Sequence, residues 1–431
     1  MANLFGTDKD DIAKKQQEIE KTVQEKNITQ IHLYFSDVLG DLKLLTLSAK
    51  LLPEVFEGKT MFDGSSINGF SSIKNSDLFL RPDLDRPRYE QDGEENILAF
   101  FCDVCTPEGE RYEYDPRNVL KDALERAARD GYSVFVGAEP EFFIFDENGE
   151  FYDEAGYFST RSEDKGYEVR QHIANRLSGV GFNIEAVHHE VAPAQHEIGI
   201  KYDDALHTAD NIQFFKEIVK IAAKEKGASV SFLPKPLRDV NGSGMHLNIS
   251  VWKNDESGNP TTNAFDEVDA DYGLSKTARH FIEGILKHAR ATAIFTNPLP
   301  ESYERLVPGF EAPVNICWSP SNRSSMIRIP ASRGSATRVE VRNPDPSANP
   351  YLALAALIYA GLEGIEQQLV PSSPNEDDLF EYSAKQIESQ GIASLPATFH
   401  ESIQSLKQDN FHDYFNHNMI DRYLSLIQVR K

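Results

Sequence analysis

Glu139 and Glu141 stand two residues apart within an apolar, aromatic-rich run, GAEPEFFIF at residues 137–145. Such a run predicts a β-strand, whose successive side chains point to opposite faces of a sheet. The two carboxylates are therefore expected on one face, with Phe142 and Ile144 on the other. Carboxylates on a buried face cost free energy unless a cation, an arginine or water compensates their charge. The pair therefore predicts a compensating partner close by.

Three more segments alternate in the same way and separate polar from apolar side chains. They are residues 195–200 (QHEIGI), 245–251 (MHLNISV) and 338–342 (RVEVR). Strands of this kind belong to a sheet with one covered face, more often antiparallel than parallel, so we expect helices on the apolar face. For one strand alone, a polar face is most often simply exposed to solvent. Glutamate, histidine, asparagine and arginine on four strands together instead favour a site for cations and phosphate.

The acidic side chains of these segments indicate a divalent metal site. Five carboxylates and one imidazole could line the polar face: Glu139, Glu141, Glu190, Glu197, His246 and Glu340. Mg²⁺ and Mn²⁺ take carboxylate oxygens, and Mn²⁺ also accepts a histidine nitrogen. Because five acids exceed what one such ion needs, two ions are the better count.

A glycine-rich loop, KPLRDVNGSGMH at residues 235–246, leads into one of these strands. It matches neither the phosphate-binding P-loop nor the dinucleotide-binding fingerprint. Gly242 and Gly244 would let backbone N–H groups approach a ligand closely. A plain loop before a strand is an equally supported interpretation.

Arginines are concentrated in the later part of a chain that is otherwise poor in basic residues. Among them are Arg305, Arg323, Arg328, Arg338 and Arg342. A guanidinium group binds carboxylate or phosphate through two parallel hydrogen bonds. Salt bridges to the many acids are the competing interpretation for each arginine. Taken with the acidic cluster, the set favours phosphoryl transfer from a metal-bound nucleotide.

Composition restricts the class of protein. The 431 residues carry a formal net charge of −24, from 44 Lys+Arg and 68 Asp+Glu, which argues against a nucleic-acid partner. Three cysteines cannot form a disulfide framework, and Cys102 and Cys105 continue an apolar strand run rather than indicating a zinc or redox site. Residues 1–15 lack an apolar leader region, and the apolar helix at 351–361 is shorter than the roughly 20 residues of a membrane span. The sequence predicts a soluble, cytoplasmic protein without a membrane partner.

The order of elements predicts two domains. Strand-like runs dominate the first part, including a hairpin that turns at Gly40, and the polar segment 106–117 is the predicted boundary, near residue 110. A helix capped by Asp115 and Pro116 follows, ending at Gly131. Further helices are predicted by apolar spacing at about residues 163–177, 208–226, 275–293 and 349–368.

Seven segments carry a family resemblance. They are FDGSSINGF (62–70), NSD (75–77), EPE (139–141), HHEVAPAQHE (188–197), KPLRDVNGSGMHLNIS (235–250), RLVPGFEAPVN (305–315) and RVEVRNPDPSANPYLALAALI (338–358). The set resembles the signature segments of glutamine synthetase, the bacterial type I enzyme of the alpha-like, non-adenylylated kind. The segments occur in the family's order and extend over nearly the whole chain.

The resemblance implies an α+β fold. A small N-terminal β-grasp-like domain would span residues 1–110. A catalytic domain would span 111–431, with an antiparallel curved sheet, an open half-barrel, backed by helices and followed by a helical tail. It also implies a homo-oligomer, a dodecamer of two stacked hexamers with active sites between adjacent subunits.

Carried over position by position, the resemblance implies a role for each site residue. Two or three Mg²⁺ or Mn²⁺ ions would bind each subunit, one at Glu141, Glu190 and Glu197 and one at Glu139, His246 and Glu340. The implied glutamate contacts are Asn241, Gly242, His246, Arg305, Glu311, Arg323 and Arg342. The implied nucleotide contacts, for ATP as a substrate, are Glu185, Tyr202, Asn248, Ser250, Arg323, Arg328 and Arg338.

The resemblance further implies catalytic roles for four residues. Arg323 and Arg328 would neutralise the transferred phosphoryl group. Glu311, in a mobile flap, would close the glutamate site and help remove a proton from ammonium. Asp37 would reach the ammonium site of a neighbouring subunit. The implied reaction is ATP-dependent formation of L-glutamine, ADP and phosphate through γ-glutamyl phosphate.

Several positions depart from the family's usual pattern. Glu301 and Glu304 stand where relatives usually have asparagine and lysine, which makes the substrate entrance more acidic. Ser72 replaces an arginine involved in glutamine sensing, which questions feedback inhibition. Phe380 stands where other type I enzymes have the adenylylated tyrosine, so no control by adenylylation is predicted.

Two alternatives remain within the family. One is a ligase that joins glutamate to a larger amine, although Asp37 and Glu311 favour ammonium. The other is a non-catalytic regulatory relative, which loss of metal ligands would mark, whereas all six are present. A nitrogen-responsive repressor remains a possible partner.

Overall fold

The computed structural model describes residues 9–430, except the side chains of Asn75, Asp92 and Ala384. The prediction about an apolar leader therefore falls partly on residues outside the described ones. Two compact units make up the chain. Unit 1 contains Met1–Glu125, Gly179–Gly181 and Phe415–Lys431, and unit 2 contains Arg126–Ser178 and Phe182–Tyr414. The domain boundary near residue 110 falls within unit 1 and stays a prediction.

The α-helices are α1 (Lys9–Glu25), α2 (Leu52–Phe56), α3 (Pro116–Arg129), α4 (Tyr167–Gly179), α5 (Ala205–Glu225), α6 (Lys276–Lys287), α7 (Ala289–Thr296), α8 (Pro300–Arg305), α9 (Pro350–Glu366), α10 (Ala384–Ser389), α11 (Phe399–Gln408) and α12 (His417–Ile427). The strands are β1 (Gln30–Ser36), β2 (Leu42–Ser48), β3 (Thr60–Asp63), β4 (Asp77–Pro82), β5 (Arg88–Asp92), β6 (Glu95–Cys105), β7 (Tyr132–Phe145), β8 (Ile184–His189), β9 (Gln195–Ile200), β10 (Asp203–Asp204), β11 (Ser229–Ser231), β12 (Met245–Asn254), β13 (Pro260–Asn263), β14 (Asn315–Ser319), β15 (Ser325–Arg328), β16 (Val339–Val341) and β17 (Ala393–Ser394). The predicted α+β class, with its N-terminal β-grasp domain and open half-barrel sheet, is confirmed.

Unit 1 contains a mixed sheet with the strand order β2-β1-β6-β4-β3, and β5 also pairs with β6. The predicted hairpin is confirmed: β1 and β2 pair antiparallel, and Gly40 takes a left-handed conformation (φ 86°) in their turn. Asp37 stabilises this turn, because its Oδ1 accepts hydrogen bonds from the N–H groups of Leu39 (3.0 Å) and Asp41 (2.9 Å). Cys102 and Cys105 are buried free thiols of β6, as the strand interpretation predicts.

Unit 2 is built on a sheet with the order β17-β14-β15-β16-β12-β7-β9-β8, to which β10, β11 and β13 add. Its strand pairs are antiparallel except β14 with β15. The predicted antiparallel sheet is therefore confirmed, and β7 lies near its centre, between β12 and β9. Helix α5 packs on β7 and α9, and α9 also packs on α6 and α7.

Helix α9 is buried along almost its whole length. Asn349 caps it by accepting from the N–H groups of Tyr351 and Leu352, and every residue of 350–364 is buried. The prediction of a buried helix here is confirmed. Helices α6 and α9 touch through glycines: a Cβ on Gly284 would lie 2.0 Å from the carbonyl oxygen of Ala360 and 2.9 Å from the Cα of Gly364.

Two predicted helix limits are wrong. The helix predicted from residue 163 begins only at Tyr167, because residues 163–166 form turns. These turns place Asp164 Oδ2 2.6 Å from Arg170 Nη2. The helix predicted over 275–293 is divided at His288 (φ −100°, ψ 11°), whose buried ring lies 2.8 Å from Glu363 and 3.0 Å from Asp409. In both cases the contacts of a buried polar side chain outweigh the local helical pattern.

Candidate active site

Three adjacent strands of unit 2 assemble the first group of ligand-type side chains. In the sheet register, His246 of β12 lies opposite Glu139 of β7, and Asn248 lies opposite Glu340 of β16. The Nδ1 of His246 is 3.4 Å from Glu139 Oε2 and 3.9 Å from Glu340 Oε1. Glu139, His246 and Glu340 thus offer ligand atoms within 4.8 Å of one another, and we call them group A.

Positive charge surrounds group A. The Nη1 atoms of Arg328 and Arg342 donate to the two oxygens of Glu340 at 2.5 and 2.6 Å. Burial alone would raise the pKa of Glu340, but His246, Arg342 and Arg328 outweigh it and lower the pKa to about 2. Burial would likewise raise the pKa of Glu139, and His246 lowers it instead. Both carboxylates are therefore ionised near neutral pH.

The second group lies where β7, β9 and β8 meet. Glu141 of β7 is opposite Glu197 of β9, which is opposite His188 of β8. The ring nitrogens of His188 are 3.3 Å from a Glu190 oxygen and 3.4 Å from a Glu197 oxygen. We call Glu141, Glu190 and Glu197 group B.

Glu141 of group B is oriented by two donors. The N–H of Gly244 and the side-chain amide of Gln195 both donate to its Oε2, at 2.9 and 2.8 Å. The glycine-rich loop therefore orients a candidate ligand. A Cβ on Gly244 would lie 2.7 Å from Arg305 Nη2, so the position requires glycine for space.

Negative charge is concentrated in group B, beside the His188 ring. Burial, followed by repulsion from Glu190 and Glu197, raises the pKa of Glu141 well above its ordinary value. Burial and Glu197 raise the pKa of Glu190 to about 7. The raised pKa values of Glu141 and Glu190 fit a site for a divalent cation, since such an ion would replace their protons.

Two cavities meet at these groups. One, of about 350 Å³, is lined by all five residues predicted to contact only the nucleotide: Glu185, Tyr202, Asn248, Ser250 and Arg338. The other, of about 420 Å³, is lined by all seven predicted glutamate contacts: Asn241, Gly242, His246, Arg305, Glu311, Arg323 and Arg342. Glu139 and Glu197 line both cavities, so they form a shared wall.

The segment 307–312 borders the larger cavity and is held by two side-chain contacts. The amide of Asn241 donates to Glu311 Oε2 at 3.2 Å, and the ammonium of buried Lys235 lies 4.1 Å from the ring centroid of Phe310. Glu311 takes a left-handed conformation (φ 57°), which non-glycine residues seldom adopt. The carboxylate therefore faces the cavity at a small conformational cost.

The five arginines occupy different surroundings. Arg305 is buried and donates to the carbonyl oxygens of Asn343 (2.7 Å) and Arg342 (3.2 Å), and Arg338 Nε donates to Asn248 Oδ1 at 3.0 Å. Arg323 lines the larger cavity. Arg328 lies beside Glu340, as described.

Asp37, the remaining predicted site residue, lies in unit 1, with its Oδ2 3.0 Å from Lys43 Nζ.

Tyr157, His188 and Gln195 line the larger cavity but were not predicted as site residues. His188 could have been found, because it stands two residues before Glu190 and strand alternation places both on one face. Tyr157 lies in a stretch without periodicity, and no pattern in the sequence marks it.

Comparisons with known proteins decide the family. Residues 113–429 match the family model described as glutamine synthetase, catalytic domain, and residues 27–107 match glutamine synthetase, beta-Grasp domain. This chain belongs to the glutamine synthetase family. Glutamine synthetase of Thermus thermophilus is 46% identical over 404 residues, covering 91% of this chain and 89% of that protein.

Solved structures agree with this membership. The cryo-EM structure of Plasmodium falciparum glutamine synthetase has a TM-score of 0.84 at 27% identity, covering 99% of this chain and 96% of that one. A GmaS/ADP complex also has a TM-score of 0.84, at 28% identity, covering 95% of this chain and 94% of that one. The predicted resemblance to glutamine synthetase is confirmed, and with it use of ATP and divalent metal as general family properties. No helix within residues 9–430 is both long and apolar enough to cross a membrane.

Proposed function

We propose that this chain joins ammonium to the side-chain carboxylate of L-glutamate at the expense of ATP, giving L-glutamine, ADP and phosphate through γ-glutamyl phosphate. One observation supports the assignment of the site: groups A and B lie where the cavity lined by the predicted nucleotide contacts and the cavity lined by the predicted glutamate contacts share the wall of Glu139 and Glu197. A phosphoryl group passing between the two ligands has to cross this wall.

Groups A and B would each hold one divalent cation, Mg²⁺ or Mn²⁺, with a third ion possible per subunit in the family. The donor sets fit hard cations, since group A offers two carboxylates and one imidazole, and group B offers three carboxylates, two of which lie beside His188. When bound, such ions neutralise charge on phosphoryl oxygens.

The protein's own side chains would position both substrates. In the larger cavity, Arg342 and Arg305 offer guanidinium groups to the glutamate carboxylates, and Asn241 and Gly242 add polar contacts. In the other cavity, Asn248, held by Arg338 and Glu139, presents a fixed amide to the nucleotide. Arg323 and Arg328 would then compensate the negative charge of the phosphoryl group during transfer.

Ammonium must lose a proton before it can attack the acyl phosphate. Glu311, at the mouth of the larger cavity, is the proposed proton acceptor of this subunit. Asp37 would serve the site of a neighbouring subunit, which requires a homo-oligomer, proposed as a dodecamer of two stacked hexamers. The need for ATP favours the cytoplasm as the location. The nitrogen-responsive repressor remains a predicted partner.

A steady-state assay tests this function. With ATP, glutamate and Mg²⁺ or Mn²⁺, phosphate release should depend on ammonium and match glutamine formation one to one. Relatives named glutamine synthetase are 43–46% identical to this chain, which favours ammonium as the amine. Faster amide formation from methylamine or ethanolamine than from ammonium would overturn the choice of substrate.

The raised pKa of Glu190, about 7, predicts how Mn²⁺ binding depends on pH. Below this pKa protons compete with the cation, so affinity at group B should rise from about pH 6 to about pH 8, with protons released on binding. In the metal-free protein, pH acts on folding in the opposite direction. Folding favours the protonated Glu190 carboxyl, so the contribution of Glu190 to the free energy of unfolding falls as pH rises from 4.5 towards about 7.

Calorimetry in two buffers of different ionisation enthalpy measures the protons released when Mn²⁺ binds. Binding at pH 7 without proton release would show that Glu190 is already ionised in the folded protein and would contradict this prediction.

A further inference from the structure

A buried carboxylate outside the two cavities touches the turn that connects β8 to β9. Asp153 is 3% exposed, and its Oδ1 lies 2.6 Å from His189 Nε2 and accepts from the N–H of Ala194 at 3.3 Å. Its Oδ2 lies 3.4 Å from His196 Nε2. One carboxylate therefore contacts both ends and the middle of the segment 189–196.

Two of the three carboxylates of group B lie in this turn or directly beside it. His189 and His196 pair across β8 and β9, and each directly precedes a group B carboxylate, Glu190 or Glu197. Because neighbouring side chains of a strand point to opposite faces, the imidazoles lie behind the sheet where the carboxylates lie in front. His189 also contacts the chain of Glu190 directly, through Nδ1 and the Glu190 carbonyl oxygen at 2.6 Å.

A residue of the same turn also contacts Glu141, the third carboxylate of group B. Gln195, the residue before His196, donates to Glu141 Oε2 at 2.8 Å. Ala194, just before it, has a left-handed backbone (φ 58°), an unfavourable conformation that the hydrogen bond to Asp153 helps to hold. A shift of the turn would therefore displace all three carboxylates of group B.

The surroundings of Asp153 favour a structural role for this residue over a metal site formed by Asp153, His189 and His196. Arg170 Nη1 lies 2.7 Å from His196 Nδ1, so a fixed positive charge already adjoins the cluster. The backbone of Gly166 fills the remaining space, since a Cβ there would lie 2.5 Å from Asp153 Oδ2 and 2.9 Å from His196 Nε2. Asp153, His189 and His196 have ligand-type atoms close together, but a divalent cation would be repelled by Arg170.

We propose that Asp153 is a positioning residue that sets the three carboxylates of group B for a divalent cation. It acts through His189, Ala194 and His196 and does not touch the cation. This inference rests on the proposed function, because it takes Glu141, Glu190 and Glu197 as ligands. Asparagine at this position would keep one acceptor oxygen and replace the other by an NH₂ group, so it could not serve His189, Ala194 and His196 as the carboxylate does.

Titration of the assembled, full-length protein with MnCl₂ tests the proposal. In wild type we expect two binding steps per subunit, which Glu190→Gln and Glu340→Gln assign to group B and group A. Asp153→Asn should weaken the group B step by roughly 10- to 100-fold and leave the group A step within about twofold. The readout is the dissociation constant from calorimetry or from the electron paramagnetic resonance signal of free Mn²⁺.

A matched control separates positioning from general destabilisation. Glu363→Gln removes another buried carboxylate of unit 2, paired with His288 at 2.8 Å and with Lys287, but remote from the β8–β9 turn. It should lower the unfolding temperature without changing either Mn²⁺ step. If Asp153→Asn does not fold, His189→Asn keeps a group near the Glu190 carbonyl, removes the contact to Asp153, and should weaken the same step.

The outcomes are distinct. Weakening of the group B step alone supports the proposal. Unchanged binding in Asp153→Asn or His189→Asn, or equal weakening of both steps, overturns it while the proposed function stands. A wild-type protein that binds no Mn²⁺ would overturn the proposed function and this inference together.

Discussion

Replacing Glu340 by glutamine is expected to lower kcat for glutamine formation by roughly 10²- to 10³-fold, the cost of removing one preorganised electrostatic group from an active site. The substitution keeps the shape of the side chain but removes the charge that Arg328 and Arg342 face at 2.5 and 2.6 Å. It would also leave group A with one carboxylate, Glu139, beside His246. Initial-rate kinetics at saturating ATP, glutamate and Mn²⁺ measure the effect.

Glu401→Gln is a matched control, because Glu401 also pairs with an arginine, Arg290, but lies on α11 away from both cavities. Its kcat should stay within about twofold of wild type. A loss of less than about threefold in Glu340→Gln would show that Glu340 has no part in the reaction, even though it adjoins His246.

Gly284→Ala should destabilise unit 2 by about 1–3 kcal/mol or more, the usual cost of inserting a methyl group into a packed interior. The new Cβ would lie 2.0 Å from the Ala360 carbonyl oxygen and 2.9 Å from the Gly364 Cα, which are backbone atoms and cannot rotate aside. Alanine gains up to about 1 kcal/mol of helix propensity over glycine, which does not offset an overlap of this size. We therefore expect an unfolding temperature lower by several degrees, measured by differential scanning calorimetry.

The control for this change is Gly156→Ala. Nothing lies within 4 Å of a Cβ at Gly156, and its φ is not in the left-handed region, so its unfolding temperature should be nearly unchanged. Equal behaviour of the two variants would mean that α6 and α9 can separate by the width of a methyl group without cost.

The arrangement of the site could be predicted where strand alternation decides it. Glu139, His246 and Glu340 each lie on the polar face of their own strand, so they converge once β7, β12 and β16 pair side by side. The family membership likewise followed from local segments that kept their order along the chain.

Contacts between distant segments could not be predicted. The break at His288 depends on Glu363 and Asp409, which no pattern around residue 288 reveals. The same holds for Asp153, one of several acids in a stretch without periodicity, whose partners lie 36 to 43 residues later in the chain. In each case a polar side chain is buried, so the structure depends on the distant residue that contacts it. Local helix propensity contributes only a fraction of a kcal/mol per residue and does not outweigh that contact.

The shared wall of Glu139 and Glu197 has a thermodynamic consequence. Whatever fills one cavity changes the electrostatic potential felt in the other, so the two occupants must alter each other's dissociation constants by one common factor. If saturating glutamate lowers the dissociation constant of ADP, then saturating ADP lowers the dissociation constant of glutamate by the same factor. The sheet that carries Glu139 and Glu197 would transmit this cooperativity.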